Sequence, residues 1–173
     1  MFLKALKEKS NKNYLNKLVS ERQVNHLDTN IDTLGVLLNL DEIDNFDNFR
    51  ILADHINIRP NKLKIIAFTK TENTKINFWD ICFTPKDFGW NGTIKNIELQ
   101  SFIDTPFDAL ISYYENPILE LKLITAYSKA KFKIGILQTD LRLNDLILKT
   151  PLNEFELFKK ELIKYLRVLK KIN

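Results

Sequence analysis

The side chains best suited to bind a metal in this chain are two histidines and a run of acids. His26 and His55 have no companion at the spacing that metal ligands require. The run of acids consists of Asp41, Glu42, Asp44 and Asp47. It lacks the glycine and the terminal glutamate of a calcium loop, and it is typical of a helix start, where carboxylates favour the helix dipole. We therefore predict no metal site.

Nucleophilic and nucleotide chemistry also lack the residues that they need. Cys82, the only cysteine, lies in an apolar stretch that predicts a buried, inert thiol. No serine stands in a GxSxG turn. The four glycines, Gly35, Gly89, Gly92 and Gly135, form neither a GxGxxG nor a Walker loop. We expect no cofactor and lean towards a protein that is not an enzyme.

One set of polar residues is placed where a small ligand could bind. Each member follows a predicted strand, and open parallel sheets bind ligands beyond the carboxyl ends of their strands. The set is Asn39, Asp41, Thr69, Thr84, Tyr113, Tyr114, Glu115 and Asn116. A helix predicted to start at Pro117, capped by Asn116, would add backbone N–H groups for an anion. The simpler interpretation, which we favour, is that these are ordinary loop residues.

Positive charge is concentrated at both ends of the chain. Residues 1–22 hold six basic and two acidic side chains, a local charge that equals the net charge of +4 for the whole chain. The residues that could meet an acidic partner are Lys4, Lys7, Lys12, Lys17 and Arg22. Residues 154–173, with six basic and three acidic side chains, could extend the same surface. The competing interpretation is solvated charge on packed helices.

The nature of such a partner is left open by the sequence. A protein partner or self-association is the preferred interpretation. RNA and an anionic membrane surface are less favoured. The apolar stripe of the first helix is interrupted and has few aromatic residues, which argues against strong membrane insertion. The stripe consists of Leu3, Leu6, Tyr14, Leu18 and Val19.

Hydrophobic periodicity predicts the elements that must position these residues. Helices are predicted at 2–22, 43–56, 117–127 and from Thr150-Pro151 onwards, with one short helix inside 84–105. Strands are predicted at 31–39, 62–68, 78–83, 107–114 and 132–137, with a sixth at 145–148. The strands are almost continuously apolar, which is typical of a parallel sheet covered on both faces.

This order of elements predicts one α/β domain. We expect a Rossmann-like three-layer domain over residues 31–173, with a mainly parallel sheet of five or six strands and helices on both faces. Residues 1–22 form a basic amphipathic helix partly outside the core, and residues 23–30 form a linker. No apolar run approaches the ~20 residues that cross a bilayer, and no signal peptide is indicated. We therefore expect a cytoplasmic protein.

The stretch FDALISYYENPILELKLITAYSKAKFKIGI, residues 107–136, carries two resemblances. It resembles an uncharacterised family of short bacterial α/β proteins in which a basic N-terminal helix precedes a Rossmann-like core. That resemblance extends over most of the chain and implies no known activity. The same stretch is similar to the first domain of heptosyltransferase-type glycosyltransferases. These enzymes have two such domains and hold the sugar nucleotide mainly with the second, so this resemblance implies no catalytic residue here.

Taken together, the sequence favours a non-catalytic binding or assembly protein that acts through its basic terminal helices. The alternative is a degenerate domain that binds a nucleotide sugar or another small ligand at the carboxyl ends of its strands. RNA binding is the third possibility, and it predicts an affinity that falls steeply with added salt.

Overall fold

A computed structural model of the chain describes residues 2–23, 30–43, 46–70, 81–137 and 140–173. Its six strands form one sheet in the order β3-β2-β1-β4-β5-β6, and all neighbouring strands are parallel. The strands are β1 Leu34–Asn39, β2 Leu63–Phe68, β3 Ile81–Phe83, β4 Ala109–Tyr113, β5 Phe132–Ile136 and β6 Leu146–Leu148. The predicted three-layer α/β domain is confirmed. The first part of the predicted third strand, 78–80, lies outside the described residues.

Five α-helices cover the two faces of the sheet. They are α1 Phe2–Glu21, α2 Phe46–His55, α3 Ile97–Asp104, α4 Leu119–Tyr127 and α5 Phe155–Val168. Strand β1 shows how the two layers arise, because successive side chains of a strand point to opposite faces. Val36 and Leu38 pack with α2 and α5, whereas Leu37 packs with α1, α3 and α4. A strand that is buried on both sides must be apolar throughout.

The strand order reverses between β1 and β4. From this pair, β2 and β3 extend to one side and β5 and β6 to the other. In open parallel sheets the connections from the two central strands then leave in opposite directions and open a crevice at the carboxyl edge. The polar residues predicted to bind a ligand belong to this edge, where β1 ends at Asn39 and β4 at Tyr113.

Two predicted helix starts are wrong. Helix α4 begins at Leu119 rather than at Pro117, and Ile118 is the residue at its N-cap. Asn116 does not cap the helix, because its backbone and side-chain N–H groups both donate to the Glu42 carboxylate. The last helix begins at Phe155, after a turn over residues 151–154, and not at Thr150-Pro151.

The amino edge of the sheet is tied together by Asp108, just before β4. Its Oδ2 accepts from the backbone N–H of Asp32 at 3.1 Å, and from the backbone and hydroxyl of Thr33 at 2.9 and 2.8 Å. Its Oδ1 meets the Lys131 ammonium at 2.8 Å. Burial raises the pKa of Asp108, but the Lys131, Thr33 and Asp32 donors outweigh it and hold the pKa below its usual value.

Candidate functional site

The second half of α1 is part of the domain core. Asn11, Leu15 and Val19 are buried, and the two apolar side chains pack with α3 and α4. Asn11 fixes the helix to the loop before α3: its Nδ2 donates to the Gly89 carbonyl at 3.1 Å, and its Oδ1 accepts from the Gly92 N–H at 2.8 Å. Because a buried amide must find partners for both its ends, this pair of bonds sets the height of the helix over the loop.

Aromatic contacts hold the middle of α1. The rings of Tyr14 and Tyr127 lie 5.6 Å apart between centroids, and the Tyr127 hydroxyl donates to the Gly92 carbonyl at 2.9 Å. Burial raises the pKa of Tyr127, and the neighbouring Tyr14 raises it further. The loop can approach this closely because Gly92 has a positive φ of 68° and no side chain.

The end of α1 is fixed by Arg22. Its guanidinium meets the Asp145 carboxylate at 2.6 Å and donates to the Arg142 carbonyl at 3.0 Å. The other oxygen of Asp145 accepts from the Lys133 N–H at 2.7 Å. Arg22, which the sequence placed among the partner-binding residues, is therefore engaged inside the domain.

The first half of α1 has an apolar face of its own. Phe2 is 76% exposed, Leu3 69% and Leu6 38%. Phe2 is nine residues from Asn11, as Leu6 is from Leu15, and nine residues are about two and a half helical turns. The two apolar faces thus lie on opposite sides of the helix. We call Phe2, Leu3 and Leu6 the free face.

A groove of about 440 Å³ continues the free face along the helix. It is lined by Leu6, Lys9, Ser10, Asn13, Tyr14, Lys17 and Asn91, and we call it the basic groove. Its residues on α1 recur every three or four positions and so share one side of the helix. Among the residues that the structure describes, neither Lys9 nor Lys17 has an ion-pair partner. The groove wall next to Ser10 is fixed, because the Ser10 hydroxyl donates to Asn91 Oδ1.

The other lysines predicted to meet a partner have varied surroundings. Lys4 and Lys17 are exposed, and Lys7 is half-buried. Lys12 forms an ion pair with Glu8 at 2.7 Å, which lowers the pKa of that glutamate. The basic helix α5 packs on the opposite face of the sheet from α1 and does not extend the surface that α1 presents.

At the carboxyl edge, three of the predicted ligand residues meet on the β1–β2 side. The Asp41 carboxylate accepts from the Thr69 hydroxyl at 3.1 Å and from the Lys70 N–H at 3.2 Å. Asn39 is buried, and its Oδ1 accepts from the Asp41 N–H at 3.2 Å. Its Nδ2 has no hydrogen-bond partner among the described residues. These polar groups mostly bind one another.

On the β4 side, a residue that the prediction left out connects the two central strands. The Glu42 carboxylate accepts from the backbone N–H of Glu115 at 3.1 Å and of Asn116 at 2.7 Å. It also accepts from the Asn116 side-chain amide. Glu42 thus crosses the point where the strand order reverses. Its position after Asp41 is visible in the sequence, but the partner loop 73 residues away is not.

The remaining predicted ligand residues have roles inside the fold. The Tyr113 hydroxyl donates to the Leu152 carbonyl at 2.8 Å, and burial raises the pKa of Tyr113 to about 12. Tyr114 is fully buried, with its hydroxyl 3.0 Å from that of Thr125. Thr84 caps the short turn Pro85–Asp87. None of these three residues lines the cleft that lies beside Glu42.

A cleft of about 520 Å³ lies beside Glu42 at the carboxyl edge. It is lined by Glu42, Ile43, Glu115, Leu137, Lys149, Pro151, Leu152 and Asn153. Of these, only Glu115 was predicted. Glu42 and Ile43 follow β1, whereas the other five residues follow β5 or β6, and their approach to Glu42 depends on the order of strands in the sheet. The cleft combines an apolar floor with two carboxylates and one ammonium group.

Comparison with protein families identifies the group to which the chain is related. A model described as a family of unknown function, DUF6913, matches residues 7–169. The chain belongs to this family. The match includes nearly all of the DUF6913 fold and the basic groove from Lys9 onwards, whereas the free face lies just before it. No curated protein and no solved structure gave a significant match.

Two further features bear on the chemistry of this DUF6913 protein. Among its described residues, no three His, Cys, Asp or Glu side chains are grouped as a metal ion would require. None of the described helices is long and apolar enough to cross a bilayer. The arrangement offers two surfaces for non-covalent binding: the free face with its basic groove, and the cleft at the carboxyl edge.

Proposed function

We propose that this protein is a non-catalytic binding or assembly protein that docks on its partner through α1. The observation that carries the proposal is the division of one helix into an anchored half and a free half. Asn11, Leu15 and Val19 bury one side of α1, while Phe2 and Leu3 stand on the opposite side in solvent. We place this activity in the bacterial cytoplasm.

The anchoring of α1 supports this proposal. Most of the stability of a helix in a protein comes from packing of one of its faces, and such packing makes α1 a rigid platform. Here the amide of Asn11, the ring of Tyr14 and the guanidinium of Arg22 fix three successive parts of the helix. The free face is therefore presented in a defined orientation, which lowers the entropic cost of binding.

The hydrogen bonds that the polar groups form with one another at the carboxyl edge support a non-catalytic role. The carboxylates of Asp41 and Glu42 accept hydrogen bonds from the protein itself. A general base needs a free lone pair directed at the substrate proton. These two groups instead hold the loops of the crevice.

Substitution of the free face tests the proposal. The variant carrying Phe2→Ser, Leu3→Ser and Leu6→Ser removes the exposed apolar surface without touching the core. After cross-linking in cells and pull-down, we expect it to lose the partners that the wild-type protein retains. Deletion of residues 1–22 is unsuitable, because it would also remove Leu15 and Val19 from the core.

A matched control removes exposed apolar residues elsewhere. Ile97, Leu141 and Val168 are 85%, 73% and 71% exposed and lie outside α1. The triple serine variant at these positions should keep every partner. An identical set of protein and lipid partners and an identical oligomeric state in wild type and in the free-face variant would contradict the proposal.

The cleft at the carboxyl edge supports a second candidate, the binding of a nucleotide sugar or another small ligand in a glycosyltransferase-like manner. The observation that favours this candidate is the cleft of about 520 Å³, which lies where the strand order reverses. Lys149 would meet a phosphate, and the carboxylate of Glu115 would accept from sugar hydroxyls.

Thermal unfolding with nucleotide sugars and with free sugars tests this candidate. A ligand that binds the folded state raises the melting temperature. We expect Lys149→Glu to abolish the rise caused by a nucleotide sugar and the control Lys160→Glu, on the exposed side of α5, to retain it. An unchanged melting temperature with every sugar excludes the candidate.

A further inference from the structure

We propose that the partner of α1 is an anionic lipid surface, on which the free face inserts while the basic groove holds a headgroup phosphate. This inference rests on the proposed function, since it names the partner of the same helix. It is carried by three observations on the described residues: the direction of the apolar side chains, the distribution of charge around them, and the position of the groove.

The direction of the side chains suits a planar partner. Phe2, Leu3 and Leu6 lie within the first two turns on the side of α1 opposite to its buried residues. The domain therefore does not stand between them and a flat surface. Amphipathic helices that bind bilayers lie in the interface with such a face at the boundary between headgroups and acyl chains.

The size of the free face separates a lipid surface from a protein partner. A stable protein interface needs about 800 Å² from each side and a complementary shape. Three side chains on a convex helix do not supply such an area. A bilayer adapts its shape to the helix, and each inserted apolar group adds to the binding without any matching pocket.

The charges around the free face complement an anionic surface. Lys7 and Lys9 lie in the same two turns on either side of this face, and residues 2–7 contain no acid. Lys4 is seven residues from Asn11 and therefore shares the side of the buried residues. The first acid, Glu8, is neutralised by its ion pair with Lys12. Lysines next to a membrane are attracted by anionic headgroups, and their aliphatic stems lie along the apolar region.

The basic groove has the donors that a phosphate group requires. Lys9 and Lys17 are eight residues apart, about 12 Å along the helix axis, and flank the groove. Between them the groove is lined by Asn13, whose side-chain amide can donate, and by Tyr14. Ammonium and amide groups are usual donors to phosphate oxygens. Leu6 belongs to the free face and also lines the groove, so the acyl chain and the headgroup of one lipid can contact the two surfaces together.

Binding to vesicles tests the inference with the full-length protein. The probes are vesicles of equal parts phosphatidylglycerol and phosphatidylcholine, and vesicles of phosphatidylcholine alone. We expect the protein to sediment with the mixed vesicles at least tenfold more than with phosphatidylcholine alone. Because three apolar side chains alone bind a bilayer weakly, the attraction between the lysines and the anionic headgroups is needed for binding. We therefore expect a high salt concentration, which screens this attraction, to release the protein.

Two pairs of variants separate the two parts of the site. The Phe2→Ser, Leu3→Ser, Leu6→Ser variant and a Lys9→Glu, Lys17→Glu variant should each lose at least tenfold in binding to mixed vesicles. The controls are the Ile97, Leu141, Val168 triple serine variant and a Lys160→Glu, Lys170→Glu variant, with Lys160 on α5 and Lys170 just after it, and both should bind as wild type does. Circular dichroism verifies that every variant is folded.

The outcomes distinguish this inference from the function on which it rests. Equal sedimentation with both kinds of vesicle, or equal losses in test and control variants, overturns the lipid inference. If free-face substitution leaves vesicle binding unchanged but dissociates a dimer, the face belongs to a second copy and the inference fails while the proposed function stands. If the wild-type protein binds RNA but not vesicles, and the Lys9→Glu, Lys17→Glu variant loses the RNA binding, the groove is an RNA site and the lipid inference fails. If the free-face variant changes neither lipid binding, partners nor oligomeric state, both proposals fail.

Discussion

Lys133 lies on β5 with its ammonium group against the last turn of α4. It is 4% exposed and donates to the carbonyls of Thr125 at 2.7 Å and Ala126 at 3.2 Å. Burial and, to a smaller extent, the positive charge of Arg22 lower its pKa to about 7, while the Asp145 carboxylate acts in the opposite direction. Carbonyls at a helix C-terminus are favourable partners for this group, whether it is charged or neutral.

The buried ammonium makes stability depend on pH. The pKa of Lys133 is about 7 in the folded protein and 10.5 in the unfolded chain, so the unfolded state binds more protons between these values. The free energy of unfolding should therefore rise with pH across this window, at up to about 1.4 kcal/mol per pH unit. In Lys133→Met this part of the slope should disappear. Urea unfolding from pH 7 to 9.5 measures it.

The control for that experiment is Lys160→Met, in which an exposed lysine is lost. It should keep the wild-type slope. The tyrosines, which begin to ionise near the upper end of this window, are the same in both proteins and contribute equally to both slopes. An equal slope in wild type and Lys133→Met would show that the buried lysine does not titrate there.

Asp108 is a second residue whose ionisation makes stability depend on pH, but here the charged form stabilises the fold. Replacing it by asparagine removes the charge that holds three donors and the Lys131 ammonium, and it should cost about 2 kcal/mol at pH 7. The pKa of Asp108 is lowered in the folded state. Its contribution is therefore complete above the unfolded pKa near 4 and is lost as pH falls through the folded pKa. The difference between wild type and Asp108→Asn should shrink below about pH 4, while Asp54→Asn, on the exposed side of α2, should change little.

Among the helices, α1 depends on one close approach of the backbone. A Cβ on Gly92 would come within 2.8 Å of the Tyr127 hydroxyl and 2.9 Å of the Tyr14 ring, and its φ of 68° disfavours any side chain. Gly92→Ala should destabilise the protein by about 1–3 kcal/mol and speed hydrogen exchange in α1. Gly89→Ala, in the same loop, meets its nearest atom at 3.2 Å and should be tolerated better. Equal exchange of α1 in both variants would contradict this account.

The elements show where periodicity predicts structure and where it does not. All six strands were predicted from their apolar runs, because a strand buried on both faces has a strong local signal. The start of α4 was not, because Asn116 is drawn away from a capping position by Glu42. A competing long-range hydrogen bond is invisible to a local pattern. The single stripe predicted for α1 is in fact two faces, since Leu6 and Leu18 fall on different sides of the helix.

At the scale of the whole molecule, the two halves of α1 should contribute unequally to stability. When residues 1–9 are removed, every described side chain that is lost is exposed or half-buried, so the free energy of unfolding should change by less than about 1 kcal/mol. Removing residues 1–22 also deletes Leu15, Val19 and Arg22 and should cost several kcal/mol. Urea denaturation of both truncated proteins measures the difference, and equal losses would contradict the division of the helix.

The architecture could be predicted further than the site. Buried parallel strands and helical spacing indicate a doubly wound sheet, and the carboxyl edge follows from that topology. The cleft could not be predicted, because Lys149 and Asn153 approach Glu42 only when β6 takes its place at the end of the sheet. The exposure of Phe2 and Leu3 likewise depends on which side of α1 the domain occupies, and packing alone decides that.

The Glu42 bridge has a consequence for how the two sides of the sheet are joined. In sheets with this strand order, an anionic ligand usually binds between the two central strands and accepts hydrogen bonds from backbone N–H groups there. Here the anionic group belongs to the protein itself, because the Glu42 carboxylate accepts from the backbone N–H groups of Glu115 and Asn116. The Glu42 side chain therefore occupies the place of a bound anion and links the two central strands. The crevice can widen only if its three hydrogen bonds to Glu115 and Asn116, which form as the protein folds, are broken.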